Sequence, residues 1–159
     1  KEGGYSFPPT LHIQGPFLAA CGQVLSKKAV LDVGSGGGSD TIMALLTQNT
    51  QVIAVDIYPE QLKILEERVT TICKGTKIGH FDKLKYDFSI SAFPTQYLEK
   101  FDIINANKVF HFLGDEQTKT MLKNFHFMLK KDGLVFITVS TLTVECTNIS
   151  SLSKIKRLA

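Results

Sequence analysis

Four short, almost unbroken apolar runs punctuate the chain, at residues 29–33, 51–56, 101–106 and 134–139. Runs of this length without strict alternation predict strands covered on both faces, as in a parallel sheet. Between them, apolar positions recur at helical spacing. The stretch after Gly38 reads as a helix ending by Gln48–Asn49. Pro59 suits the first turn of a second helix, whose inner face carries Leu62, Leu65 and Val69 and which stops at Lys74–Gly75 after Cys73. A third covers residues 115–131, with Met121, Leu122, Phe125, Met128 and Leu129 buried, before Asp132–Gly133 turns into the last strand. Residues 83–87 alternate and predict a weaker strand. Towards the start, Gly3 to Pro9 reads as loop, and Thr10 caps a helix carrying Leu11, Phe17, Leu18 and Val24. Gly15–Pro16 interrupts that helix, which is expected to end near Ser26.

Strands alternating with helices place the chain in the α/β class, as a Rossmann-like open, mostly parallel sheet with helices on both faces. The length of 159 residues suits one domain: residues 1–28 as an N-terminal lid and helix, 29–140 as the core, 141–159 as a tail. No internal repeat divides it.

Composition narrows the partners. No apolar run approaches the roughly 20 residues of a membrane helix, so no membrane partner is expected. The balance of 18 basic against 15 acidic residues, net +3, is spread along the chain, and Lys27–Lys28 and Lys130–Lys131 read as solvated surface. This argues against nucleic acid. Cys21, Cys73 and Cys146 are widely spaced and odd in number, giving neither a disulfide framework nor a zinc site. A reducing, cytoplasmic setting follows. No signal pattern opens the chain, which begins at Lys1, and further residues are expected to precede it.

The candidate chemistry lies where the first strand ends. Asp32 is followed by Gly34, Ser35, Gly36, Gly37 and Gly38 and then by a helical pattern, a strand–loop–helix crossover whose glycines let backbone approach a ligand. In open parallel sheets ligands sit at the carboxyl ends of the strands, which collects Asp32, Asp56, Asp87 and Asn105 at one edge. Asp56 lies 22 positions beyond Gly34, close to the spacing at which an acid reaches a nucleotide ribose, and its two oxygens can accept from both hydroxyls; the competing reading is a helix cap before Pro59. A dinucleotide fingerprint would put its third small residue at Ser39, a near miss, whereas an acid two residues before Gly-x-Gly-x-Gly fits Asp32, Gly34, Gly36 and Gly38 throughout. No Gly-Lys-Ser/Thr follows, which excludes the triphosphatase loop. His80 and His126 show no ligand spacing, so no metal site is expected.

In these motifs the sequence resembles the class I S-adenosylmethionine-dependent methyltransferases over about residues 28–140. Leu31 to Gly38 looks like the glycine-rich first motif, Val52 to Ile57 like the second strand with its ribose acid, and Tyr86–Asp87–Phe88 like the adenine end of the third. Phe101 to Asn107 looks like the fourth strand, and Met128 to Leu134 like the turn into the fifth. The resemblance implies that Gly34 and Gly36 admit the amino-acid part of the cofactor, lined by Ser35, and that Gly38 permits close packing at the helix start. It implies that Asp32 orients the loop or the cofactor ammonium, that Asp56 and Ile57 lie at the ribose, that Asp87 and Phe88 meet the adenine, and that Asn105 faces the methionine part. S-adenosylmethionine is then the expected cofactor and S-adenosylhomocysteine the product. As alternatives, Asp87 reads as a loop acid and Asn105 as a turn residue.

Methyl transfer to an activated donor is chiefly a matter of alignment, and a base is needed only for a protonated acceptor. Asn107, Lys108 and His111 follow the fourth strand, where the family places acceptor-facing groups. Among them His111 is the candidate base, because imidazole titrates near neutrality; its apolar neighbours make a packing role the alternative. Tyr5 and His12 could belong to a lid, with packing as the competing role. The family's Asn/Asp-Pro-Pro-aromatic signature and a Pro-Cys pair are both missing after the fourth strand, which leaves a small-molecule acceptor as the leading expectation, with a protein or RNA acceptor as the alternative. Only 20 residues follow Val139, too few for the family's remaining helix and two strands. The C-terminal strands are therefore expected to be shortened or missing, leaving the fifth strand as an edge open to self-association. That shortening also motivates a rival reading, a non-catalytic methyltransferase-like module that binds cofactor or partner.

Overall fold

The computed structural model describes residues 11–22, 27–48 and 50–139. Five strands form one parallel sheet: β1 (Lys28–Val33), β2 (Thr50–Asp56), β3 (His80–Lys85), β4 (Phe101–Asn107) and β5 (Leu129–Thr138), in the order β3-β2-β1-β4-β5. The helices are α1 (Leu11–Cys21), α2 (Ser39–Leu46), α3 (Pro59–Ile72) and α4 (Asp115–Met128). Alternate residues of the central strands serve two cores, which is why their sequences read as continuous apolar runs. Val30, Val52, Ala54 and Ile103 pack with Phe17 and Cys21 of α1, Ile42 and Leu45 of α2, and Leu65 and Val69 of α3. Leu31, Val33, Val55, Ile104 and Ala106 pack on the other face with Met121, Phe125 and Met128 of α4 and with Phe88 and Tyr97.

The chain runs outward from β1 through β2 to β3, then returns to β4 and β5 on the other side of β1. The reversal falls between β1 and β4, and opens a crevice at their carboxyl ends. Among the described residues no helix is long and apolar enough to cross a membrane.

Several boundaries differ from the sequence expectation. Helix α1 runs through Gly15–Pro16 and ends at Cys21. Pro16 forfeits one hydrogen bond, but burial of Phe17, Ala20 and Cys21 against the sheet holds the helix together. Strand β3 spans 80–85 instead of 83–87; as an edge strand it half-buries only Phe81 and Leu84, so its apolar pattern is faint. Helix α4 stops at Met128, not Lys131, because Leu129 is already extended and pairs with Phe101. The expected Asp132–Gly133 turn survives inside β5 as an irregularity: Phe101 pairs with Leu129 and Ile103 with Leu134, so the intervening residues bulge, with Asp132 at φ 65. Among the described residues β5 is an edge of the sheet. Tyr5, residues 23–26 and the tail from 140 lie outside the described residues, as does Cys146; His12 falls in the first turn of α1.

Candidate functional site

At the end of β1 the glycine loop alternates its backbone, with Gly34 at φ 66, Gly36 at φ 50 and Gly38 at φ 80. Internal bonds hold it: Ser35 N–H donates to the Val55 carbonyl at 2.9 Å and Gly38 N–H to the Ser35 carbonyl at 2.9 Å. The Gly36 N–H donates to Asp56 Oδ2 at 2.9 Å, while Asp56 Oδ1 accepts from Tyr58 N–H at 2.9 Å. Asp56, buried at the tip of β2, thus clasps the loop from the next strand. It does not cap α3 through its side chain, since the N-cap is Tyr58. Arg68 of α3 donates to the Gly37 carbonyl. A Cβ on Gly34 would overlap Val109 Cγ2, and one on Gly38 would overlap Leu65 Cδ1, whereas a Cβ on Gly36 would meet nothing within 4 Å. The loop is therefore closed on two sides and open at Gly36.

Beneath it lies a buried polar network. Asn105 Nδ2 donates to Asp32 Oδ1 at 2.9 Å and to Asp40 Oδ2 at 3.0 Å. Thr41 Oγ1 donates to Asp32 Oδ2 at 2.5 Å, and Asn107 Nδ2 donates to Asp40 Oδ2 at 2.9 Å. Burial, then the neighbouring Asp40 charge, push the Asp32 carboxyl up to about 7, against the opposing pull of its Thr41 and Asn105 bonds. The same surroundings reach Cys21, whose thiol is pushed up to about 12 by burial first and by the charges of Asp32 and Asp40 second. Asn105 spends its donors on the two acids, so it organises the floor of the site. Two buried oxygens are left without a partner among the described residues, Ser35 Oγ in the loop and Asn107 Oδ1 at the end of β4. Such atoms are costly to leave unpaired and mark where a ligand's polar groups can be met.

Beyond β2 and β3 a pocket of about 290 Å³ is lined by Ile57, Lys85, Tyr86, Asp87 and Ser91. Asp87 Oδ1 accepts from both the N–H and the hydroxyl of Ser89, at 2.8 and 2.6 Å. The Phe88 ring, 1% exposed, belongs to the core beneath, where it meets Tyr86 at 4.9 Å between ring centroids. The Phe88 carbonyl accepts from Asn124 Nδ2 at 2.8 Å, so Phe88 is held in the core below Asp87. After β4, Lys108 takes a left-handed φ of 58, and its N–H donates to the Thr138 carbonyl at 2.8 Å. This bend delivers Val109 to Gly34 and leads into a short 3-10 turn, Phe110–Phe112, that carries His111. His111 is exposed and its ring lies tilted against Phe112, 4.0 Å between centroids. A second cavity of about 250 Å³ lies among residues at the opposite ends of the strands, such as Ala29, Gln51, His80 and Phe101, away from these groups.

The topology therefore brings together the glycine loop with Asp56, the Asp32–Asn105 pair below it, and Ile57 with Asp87 in the adjoining pocket. The sequence assigned no place at the site to Asp40, Thr41, Arg68 or Val109, and put Leu65 on the inner face of α3 without its contact to the loop. A signal existed for two of them: Arg68 falls three residues after Leu65, on the helical face turned toward the loop.

A family model described as a methyltransferase domain matches residues 31–135. An uncharacterized methyltransferase-like protein of Schizosaccharomyces pombe is 25% identical over 127 residues, covering 79% of this chain and 43% of its own. The chain thus spans less than half the length of that relative. Among solved structures, coclaurine N-methyltransferase bound to N-methylheliamine and S-adenosylhomocysteine superposes with TM-score 0.64 at 20% identity, over 86% of this chain and 37% of that one. Phosphoethanolamine N-methyltransferase 1 of Haemonchus contortus, in complex with phosphoethanolamine and S-adenosylhomocysteine, gives TM-score 0.61 at 19% identity, over 81% and 27%. At these identities the structural likeness is one of fold.

Proposed function

The chain belongs to the class I S-adenosylmethionine-dependent methyltransferase family, and from that premise we propose that it binds S-adenosylmethionine across the glycine loop and the Asp87 pocket and methylates a small-molecule acceptor. The observation that carries this reading is the pair of orphaned buried oxygens, Ser35 Oγ and Asn107 Oδ1, on either side of the β1–β4 crevice. An amino-acid moiety has the complementary groups. The Ser35 hydroxyl can donate to its carboxylate and Asn107 Oδ1 can accept from its ammonium. The open side of Gly36 leaves room for that moiety to approach the backbone. Asp56 has lone pairs beyond those used by Gly36 and Tyr58, and these are assigned to the ribose hydroxyls beside Ile57. Asp87 Oδ2 is assigned to the adenine amino group, with Phe88 packed in the core beneath it. Asp32 and Asn105 act from below, holding the loop and Asp40.

When bound, the cofactor supplies a methyl carbon already activated by a sulfonium. What remains for the chain is to orient the acceptor, and to take its proton where it carries one. His111 is assigned that proton-accepting task, with Nδ1 or Nε2 as the receiving atom. Two N-methyltransferases that share the fold hold small molecules, N-methylheliamine in one and phosphoethanolamine in the other, which supports a small-molecule acceptor here.

Calorimetry with S-adenosylmethionine and S-adenosylhomocysteine tests the binding part, and absence of heat with both sinks it. Transfer of label from the methyl donor into pools of small amines, peptides and RNA tests the rest. Binding without transfer to any pool would favour a cofactor-holding module. Asp56→Ala is expected to weaken S-adenosylhomocysteine by about 1–3 kcal/mol, since it removes both the ribose acceptor and the clasp on Gly36. An unchanged affinity would return Asp56 to the role of a local turn acid.

A further inference from the structure

Gln117, in the first turn of α4, touches two rims of the site that the topology delivers on separate segments. Its Oε1 accepts the Gly114 N–H at 3.1 Å, and Gly114 closely follows the turn that carries His111. Its Nε2 donates to Ser89 Oγ at 3.4 Å, and that hydroxyl donates to Asp87 Oδ1 at 2.6 Å. Ser89 is 3% exposed, so its hydroxyl has no ready exchange with solvent. Asp87 Oδ1 is committed twice over, counting the Ser89 N–H at 2.8 Å, and Oδ2 has no partner among the described residues.

The two ends of the amide are not interchangeable. A serine has one hydroxyl proton, and here Asp87 receives it, so whatever faces Ser89 Oγ from the other side must donate. Gly114 presents an N–H, so whatever faces it must accept. A side chain with a donor and an acceptor on one short fork meets both demands, and a carboxylate meets only the second.

We propose that Gln117 is a positioning residue of the cofactor site: acting through Ser89, it holds Asp87 with Oδ2 turned to a ligand's exocyclic amino group, and through Gly114 it ties that corner to the His111 turn. The inference rests on the reading that Asp87 receives the adenine amino group. It gives Gln117 a role beyond the ordinary one of closing the first turn of a helix, which glutamate at this position fills equally well.

That difference supplies the test. Gln117→Glu keeps the bond from Gly114 but sets an acceptor and a negative charge against Ser89 and Asp87. Ser89→Ala removes the link and leaves the helix start untouched. Both variants are expected to melt close to the wild-type temperature and to bind S-adenosylhomocysteine about 3- to 10-fold more weakly, the range for losing one hydrogen bond's alignment. Binding of the inosine analogue, S-inosylhomocysteine, which lacks the exocyclic amino group, is expected to be the same in both variants as in the wild type. Unchanged affinity for S-adenosylhomocysteine in Gln117→Glu overturns the inference, and so does an equal loss for the two ligands. Asp87→Ala serves as the reference: if it binds S-adenosylhomocysteine as tightly as the wild type, the adenine reading itself falls, whereas a loss there with none in Gln117→Glu removes only the role of Gln117.

Discussion

Gly38→Ala is expected to destabilise the fold by about 2–4 kcal/mol, seen as a lower denaturant midpoint at unchanged slope. Two costs combine. Gly38 stands at φ 80 and ψ 27 as the N-cap of α2, a left-handed conformation that charges an alanine about 1 kcal/mol or more. The new methyl would also overlap Leu65 Cδ1 and stand 3.0 Å from its Cγ. Leu65 is wholly buried in the cluster formed by α1, α2, α3 and the sheet, so its retreat displaces other core side chains. Overpacking of this kind costs about 1–3 kcal/mol. Gly36→Ala gives the contrast, because its methyl meets nothing and only the φ of 50 opposes it. A midpoint for Gly38→Ala as high as that of Gly36→Ala would mean that Leu65 moves aside without cost.

That pair of glycines illustrates what could and could not be read from the chain. The loop was legible because Asp32, Gly34, Gly36 and Gly38 stand at fixed spacing behind an apolar run. The division of labour within it was not, since Leu65 and Val109 approach from segments distant in sequence. The central strands were legible for the same reason that they are central: both faces are buried, so their apolar residues are continuous. Strand β3 lies at the edge and its signal was offset by a few residues. The end of α4 was misplaced because Leu129, apolar and at helical spacing from Phe125, satisfies either state; pairing with Phe101 across the sheet decides for the strand. Among the acids, Asp56 and Asp87 announced themselves by following strands. Asp40 did not, because nothing local distinguishes a first-turn helix acid on the surface from one buried beside Asp32.

The buried pair of acids leads to the second large effect. Asp32→Asn is expected to raise stability at pH 8 while leaving it nearly unchanged at pH 4. In the unfolded chain this carboxyl releases its proton near 3.8, and in the folded chain it holds it up to about 7. Between those values the folded chain binds more protons than the unfolded one, so the contribution of Asp32 to stability is whole below 3.8 and is lost as pH rises through about 7. At about 1.4 kcal/mol per pH unit, the loss is on the order of 4 kcal/mol. Asparagine is neutral throughout and can still accept from Asn105, with the Thr41 hydroxyl turned to accept in its place. Two other shifted groups lie outside this window. Asp102 is lowered, because its bonds from Ala29 N–H and Lys130 and the charges of Lys130 and Lys28 outweigh its burial, so its contribution fades at falling pH. The Cys21 thiol titrates between 9.0 and about 12, above the window. The difference between wild type and variant, followed by thermal or denaturant unfolding from pH 4 to 8, therefore reports the proton held by Asp32 beside Asp40. Parallel profiles across that range would mean that Asn105 and Thr41 keep Asp32 ionised beside Asp40, and that the floor of the site carries both charges throughout.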